Sequence, residues 1–134
     1  MSAADVAVVR EILDTFNRGD YEASEALLHD EIELHQARAI PDTDDYYGKE
    51  EWLRGIGRWL SGFERGFQYV PIELIDAPGG VFAEVRLSGR GRESGVPLEQ
   101  VIYHVWRVRD GKAIRCSVHW GEEEARREAG LEPR

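Results

Sequence analysis

The chain is expected to fold as a single α+β domain over residues 1–134, a mainly antiparallel mixed sheet curved into a cone around N-terminal helices. Three observations lead there. Apolar residues recur at helical spacing through the first half, and from Phe67 onward the period switches to two. The chain also has 134 residues, 42% of them apolar, enough for one core and too few for two comfortable domains.

Ser2 and Asp5 resemble a helix-capping start, after which Val6, Val9, Leu13 and Phe16 repeat at helical spacing until Asn17-Arg18-Gly19 ends the run. Gly19 suits a helix C-terminus, and Asp20 can cap a short second helix, Tyr21 to His29, with Ala23, Ala26 and Leu27 on its apolar side. Ile32 and Leu34 alternate with Glu31, Glu33 and His35 as a short strand. A polar loop, Arg38 to Tyr47, follows; it holds Pro41 and the acids Asp42, Asp44 and Asp45, and reads as a rim or lid. Trp52, Ile56, Trp59, Leu60 and Phe63 then mark a third, amphipathic helix from Lys49, interrupted by Gly55 and Gly57. Each glycine weakens the helix by about 1 kcal/mol relative to Ala, which implies a close backbone approach or local play.

The second half reads as a meander of Phe67 to Ala77, Val81 to Arg90, Pro97 to Arg109 and Lys112 to Trp120, with Ser88 to Gly95 as a flexible link. Glu122 to Ala129 closes the chain as a helix ended by Gly130 and Pro133, its three leading glutamates matched to the helix dipole.

Asp110-Gly111 marks a hairpin whose turn decides which side chains share a face. A plain two-residue turn would oppose Trp106 to Arg115 and mix apolar with charged residues. A three-residue loop, Arg109 to Gly111, instead pairs Trp106 with Ile114, His104 with Cys116, Ile102 with Val118 and Gln100 with Trp120. One face then carries Gln100, Ile102, His104, Trp106, Cys116, Val118 and Trp120, a composition suited to a pocket wall. The opposite face has Phe82, Val101, Tyr103 and Val105 beside Arg86, Arg107 and Arg115, and a sheet-to-sheet homodimer would bury it.

The 17 basic and 26 acidic residues leave a net charge of −9, which repels a phosphate backbone and argues against nucleic acid. Apolar stretches are too short to span a bilayer, and no charged-then-apolar leader precedes the first helix; the expectation is a cytoplasmic protein with no membrane partner. One cysteine, Cys116, rules out an internal disulfide, and no metal or other cofactor is expected because no His/Asp set has ligand spacing.

The order of elements, with Phe16-Asn17-Arg18-Gly19-Asp20, Ala26-Leu27-Leu28-His29-Asp30, Tyr47-Gly48-Lys49-Glu50, His104-Val105-Trp106-Arg107-Val108-Arg109-Asp110-Gly111-Lys112 and Ala129-Gly130-Leu131, resembles the nuclear transport factor 2-like superfamily, and within it the SnoaL-like branch related to polyketide cyclases. The resemblance spans nearly the whole chain and implies fold more than chemistry. Where ketosteroid isomerases have a tyrosine and two aspartates, the matching positions are Ile12, Gln36 and His104, so that enolisation lacks its base. The Asp-Arg-Asp set of limonene-epoxide hydrolases falls on Leu87, Val85 and Val118. The histidine and aspartate of SnoaL-type cyclases fall on His104 and Val118, so the histidine alone is kept.

His104 is therefore the candidate catalytic residue, an imidazole able to exchange a proton near neutral pH. Gln36 and Gln100 can orient a carbonyl or hydroxyl, and Trp59, Trp106 and Trp120 suit flat rings. Cys116 and Val118 complete the substrate-binding set; Cys116 opposite His104 raises a nucleophile pair, although a small buried residue is the commoner meaning. His35 and His119 read as surface or interface groups. The expected partner is a small apolar or aromatic ligand, polyketide-like, which the protein binds or cyclises, isomerises or dehydrates without a cofactor. The alternative is a non-catalytic dimeric ligand-binding or packing module.

Overall fold

The computed structural model describes residues 3–36 and 44–133. Helix α1 (Ala3–Asn17) and the short α2 (Tyr21–Glu25) lead into strand β1 (Leu28–Gln36). Strand β2 (Tyr46–Tyr47) and helix α3 (Lys49–Ser61) follow. Then come β3 (Gln68–Ala77), β4 (Gly80–Arg90), β5 (Pro97–Arg109) and β6 (Lys112–His119), and helix α4 (Glu122–Ala129) ends the fold. The strands form one open mixed sheet in the order β2-β1-β6-β5-β4-β3, in which only β1 and β6 run parallel.

Local chemistry explains the corner between the first two helices. Gly19 turns at φ 81°, the Asp20 carboxylate accepts from the Ala23 amide at 3.2 Å, and the Ser24 hydroxyl donates to the buried Ile12 carbonyl at 3.0 Å. The second helix stops at Glu25, short of the expected His29, because Leu28 is already strand: it pairs with Ala113, whose amide donates to the Leu27 carbonyl at 2.8 Å. A pairing with the sheet outweighs the strong helical propensity of Ala26, Leu27 and Leu28. The expected rim loop falls partly outside the described residues (38–43, including Pro41 and Asp42); its end, Asp44 to Tyr47, is described and supplies β2.

The meander forms as expected; Pro71 lies on the edge strand β3 and Pro97 is the first residue of β5, positions where a missing amide costs least. The link after Ser88 is not free. Strand β4 extends to Arg90, and the Arg92 guanidinium donates to the Ser61 and Phe63 carbonyls at 3.1 and 2.9 Å, tying the turn to the end of α3.

The hairpin takes a form between the two that were weighed. Asp110 and Gly111 both have positive φ, 52° and 79°, and make a two-residue turn that pairs Arg109 with Lys112. A bulge then inserts one residue on β6, so that Arg107 opposes Arg115, Trp106 opposes Cys116 and His104 opposes Val118. The expected three-residue loop, with His104 opposite Cys116 and Ile102 opposite Val118, is therefore corrected by two positions. The extra residue restores the parity, and the face assignments survive.

Two cores result. The larger lies between the helices and the inner sheet face and includes Val9, Leu13, Ile32, Trp52, Val85 and Ile102. The smaller lies on the outer face, where Ala125 and Ala129 of α4 cover Phe82 and Val105, and the Arg126 guanidinium sits 5.5 Å from the Phe82 ring centre. Much of the apolar outer face that suggested a dimer is thus covered by the chain's own last helix.

Candidate functional site

Between α1, α3 and the inner sheet face lies a cavity of about 590 Å³. His104, Gln36, Gln100, Trp59, Trp106, Cys116, Val118 and Trp120, the residues singled out from sequence, all line it. Alternation along β5 and β6 puts them there: Gln100, His104 and Trp106 share the inward parity of β5, and Cys116 and Val118 face them from β6. They divide by depth. His104, Trp106 and Cys116 are buried, whereas Trp59 and Trp120 are 43% and 50% exposed and Gln100 is open to solvent, so these three belong to the rim.

At depth, the Trp106 indole Nε1–H donates to His104 Nδ1 at 3.2 Å. The Tyr69 ring stands 6.2 Å from the imidazole, centre to centre, and the Trp52 ring packs at a tilt 6.0 Å from Trp106. Burial, reinforced by the neighbouring His119, lowers the His104 pKa from 6.5 to about 4, so the imidazole is neutral at physiological pH. Burial, with the Cys116 thiol nearby, pushes the Tyr69 phenol up, against the pull of a hydrogen bond with the Trp59 side chain. Burial and then the Glu128 carboxylate raise the Cys116 thiol as well. A neutral thiol facing Trp106 rather than an imidazolium is no activated nucleophile.

Sequence reasoning missed Tyr69, Arg58 and Asn17. Tyr69 was legible in principle, since it pairs with the inward Leu87. Its anchor is less visible: the Asn17 amide side chain donates to the Tyr69 carbonyl and accepts from the Tyr69 amide, both at 2.8 Å, as a neighbouring strand would. Asn17 thus both ends α1 and holds β3 against it. At the mouth, the Arg58 guanidinium donates to the Tyr46 hydroxyl at 3.3 Å and lies 5.8 Å from that ring's centre. Tyr46 also explains Gly55, because a Cβ there would fall 2.5 Å from the tyrosine ring; Gly57 has open space around it.

Among the described lining residues there is no carboxylate, and Arg58 is the one charged group. No cluster of three His, Cys, Asp or Glu side chains among the described residues could hold a metal ion. Two further histidines lie away from the cavity. His35 sits between Glu33 and Asp45, at 2.7 and 3.3 Å, and His119 meets Glu128 at 2.7 Å beneath α4. None of the described helices is long and apolar enough to cross a membrane.

A family model described as a SnoaL-like domain matches residues 9–116. No protein of curated function matches the sequence. Among solved structures, Bal32a from a soil-derived mobile gene cassette superposes with a TM-score of 0.77 at 21% identity, covering 94% of this chain and 95% of its own. A nuclear transport factor 2-like protein of Burkholderia thailandensis gives 0.75 at 25% identity over 99% of this chain and all of its own. A proposed polyketide cyclase of Xanthomonas campestris gives 0.71 at 18% identity, covering 90% of this chain and 93% of its own.

Proposed function

The chain belongs to the SnoaL-like domain family, and from that premise we propose that it binds a small, largely apolar molecule, aromatic or polyketide-like, in the cavity between its helices and sheet. The observation that carries this reading is a cavity of about 590 Å³ with a buried aromatic floor and indoles at the rim. That volume lies in the range of pockets that enclose a compact organic molecule. Trp59 and Trp120 would stack on a flat ring as it enters, and Gln36 and Gln100 would orient its polar substituents.

Thermal unfolding against a panel of naphthalene- and polyketide-like compounds tests it. A binder present at a hundred times its Kd stabilises the folded form by about 2.7 kcal/mol, which raises Tm by several degrees. Trp59→Ala should shrink that shift when it is measured from the variant's own unliganded Tm, which falls because Trp59 packs on Phe63 and Phe67. A panel that leaves both Tm and tryptophan emission unmoved would sink the reading.

A catalytic version has His104 taking part in the proton transfer of a cyclisation, isomerisation or dehydration. The lack of any carboxylate among the described lining residues favours the alternative, a non-catalytic binder, since Tyr69 and Cys116, the other titratable groups beside the imidazole, are both held protonated by burial. Turnover lost in His104→Gln with binding retained would decide for the enzyme. The homodimer belongs here too: Val70 and Val101 flank Arg86 on the outer face, and Ile72 is 44% exposed. Light scattering that gives a monomer at micromolar concentration removes that proposal.

A further inference from the structure

The polar contact at the cavity floor has only one arrangement of hydrogens. An indole Nε1 carries a hydrogen and no available lone pair, so at 3.2 Å from His104 Nδ1 it must donate and the imidazole must accept. A neutral imidazole has a single N–H. With the Nδ1 lone pair engaged, that hydrogen sits on Nε2, and Nε2 has no hydrogen-bond partner among the described residues. Trp106 and His104 occupy alternate positions of one strand and hence one face, so the contact is built into the backbone of β5. The Trp106 ring is itself held, packed 6.0 Å from Trp52 and opposite Cys116.

We infer that Trp106 is a positioning residue that locks His104 as an Nε2–H donor, so that the cavity selects ligands presenting an oxygen acceptor, such as a ketone, over amines and hydrocarbons of the same shape. The inference rests on the cavity being a small-molecule site. The rest of the lining agrees with it. A protonated amine would need an anion, and the described walls carry no carboxylate while the mouth carries the cationic Arg58. A ketone oxygen would take the Nε2 proton in a hydrogen bond, with no lone pair of the imidazole opposing it.

Two measurements test the inference. Nitrogen-15 spectra of the imidazole side chains in the ligand-free protein should show His104 protonated at Nε2 and bare at Nδ1. Trp106→Phe keeps an aromatic ring but removes the donor, and should let both tautomers appear. A wild-type His104 protonated at Nδ1 overturns the lock, as does a Trp106→Phe spectrum identical to wild type. In titrations, acetylnaphthalene should bind about tenfold more tightly than its isopropenyl isostere, the value of one buried hydrogen bond, and more tightly than the aminoethyl analogue. In Trp106→Phe the first ratio should fall by about twofold, in proportion to the share of imidazole that leaves the Nε2–H form. Equal binding of all three compounds to the wild type overturns the selectivity while leaving the small-molecule reading in place. If none binds, the small-molecule reading falls with it, and the spectra still decide the lock.

Discussion

Two histidines on neighbouring strands face opposite sides of the same sheet, and each is defined by what it meets. On the inner face His104 of β5 meets an indole that can only donate, in a pocket with no described carboxylate, and burial holds it neutral. On the outer face His119 of β6 meets the Glu128 carboxylate at 2.7 Å under α4. Desolvation pushes the Glu128 carboxyl up, but the hydrogen bond to His119 and the charges of His119 and Arg115 outweigh it and hold the carboxyl below its ordinary range. The difference separates a face that lines an apolar cavity from a face closed by the chain's own His119–Glu128 contact. The same residue type supplies a neutral donor on one side and half of a structural clasp on the other.

The largest way to break the contrast acts on the outer face. Phe82 is fully buried beneath Ala125, Ala129 and the Arg126 guanidinium. Phe82→Ala should cost about 3–5 kcal/mol of unfolding free energy, a loss read by urea denaturation. Amide exchange in 122–129 should accelerate far more than in β1 or α1, because the helix loses the surface it sits on. Uniform acceleration throughout the chain would show that the two cores are not separable.

The second prediction sharpens the inner face through pH. In the unfolded chain His104 binds its proton near pH 6.5, and in the folded chain only near pH 4. Between those values the unfolded state holds more protons, so stability is complete above pH 6.5 and is lost as pH falls toward 4, by about 3 kcal/mol. The difference between wild type and His104→Phe, measured by denaturation at several pH values in that window, isolates this contribution from that of the carboxylates. Parallel curves would mean that the folded imidazole is hydrated enough to keep its ordinary pKa, against the burial that lowers it.

The smallest of the three effects concerns how the inner face is held. Asn17→Ala leaves the Tyr69 amide and carbonyl without their partners and should cost about 1–3 kcal/mol. Ligand affinity should fall with it, since Tyr69 lines the cavity. Loss of stability with unchanged affinity would make Asn17 a purely architectural clamp.

Periodicity alone put Gln100, His104, Trp106, Cys116 and Val118 on the cavity-facing side of β5 and β6, because side chains on a strand alternate whatever its partner is. It did not place them opposite the correct neighbours. The pairing depends on the number of residues between two strands, and a bulge adds one without changing composition. Gly55 shows the same division: its cost to the helix was readable, but its purpose is a tyrosine arriving from β2.

The outer face shows where one-dimensional reading runs out. Phe82 and Val105 announced a surface that needed covering, and Ala125 and Ala129 announced a helix, but nothing in the spacing said that the one would cover the other. The order of letters determined the elements, their inward and outward sides, and a neutral, acid-poor wall along β5 and β6. Tertiary structure decided which indole reaches His104, that Asn17 grips Tyr69, and which part of the outer face remains for another molecule. Each of these depends on distances between residues remote along the chain, which are set only when the helices and the sheet pack together.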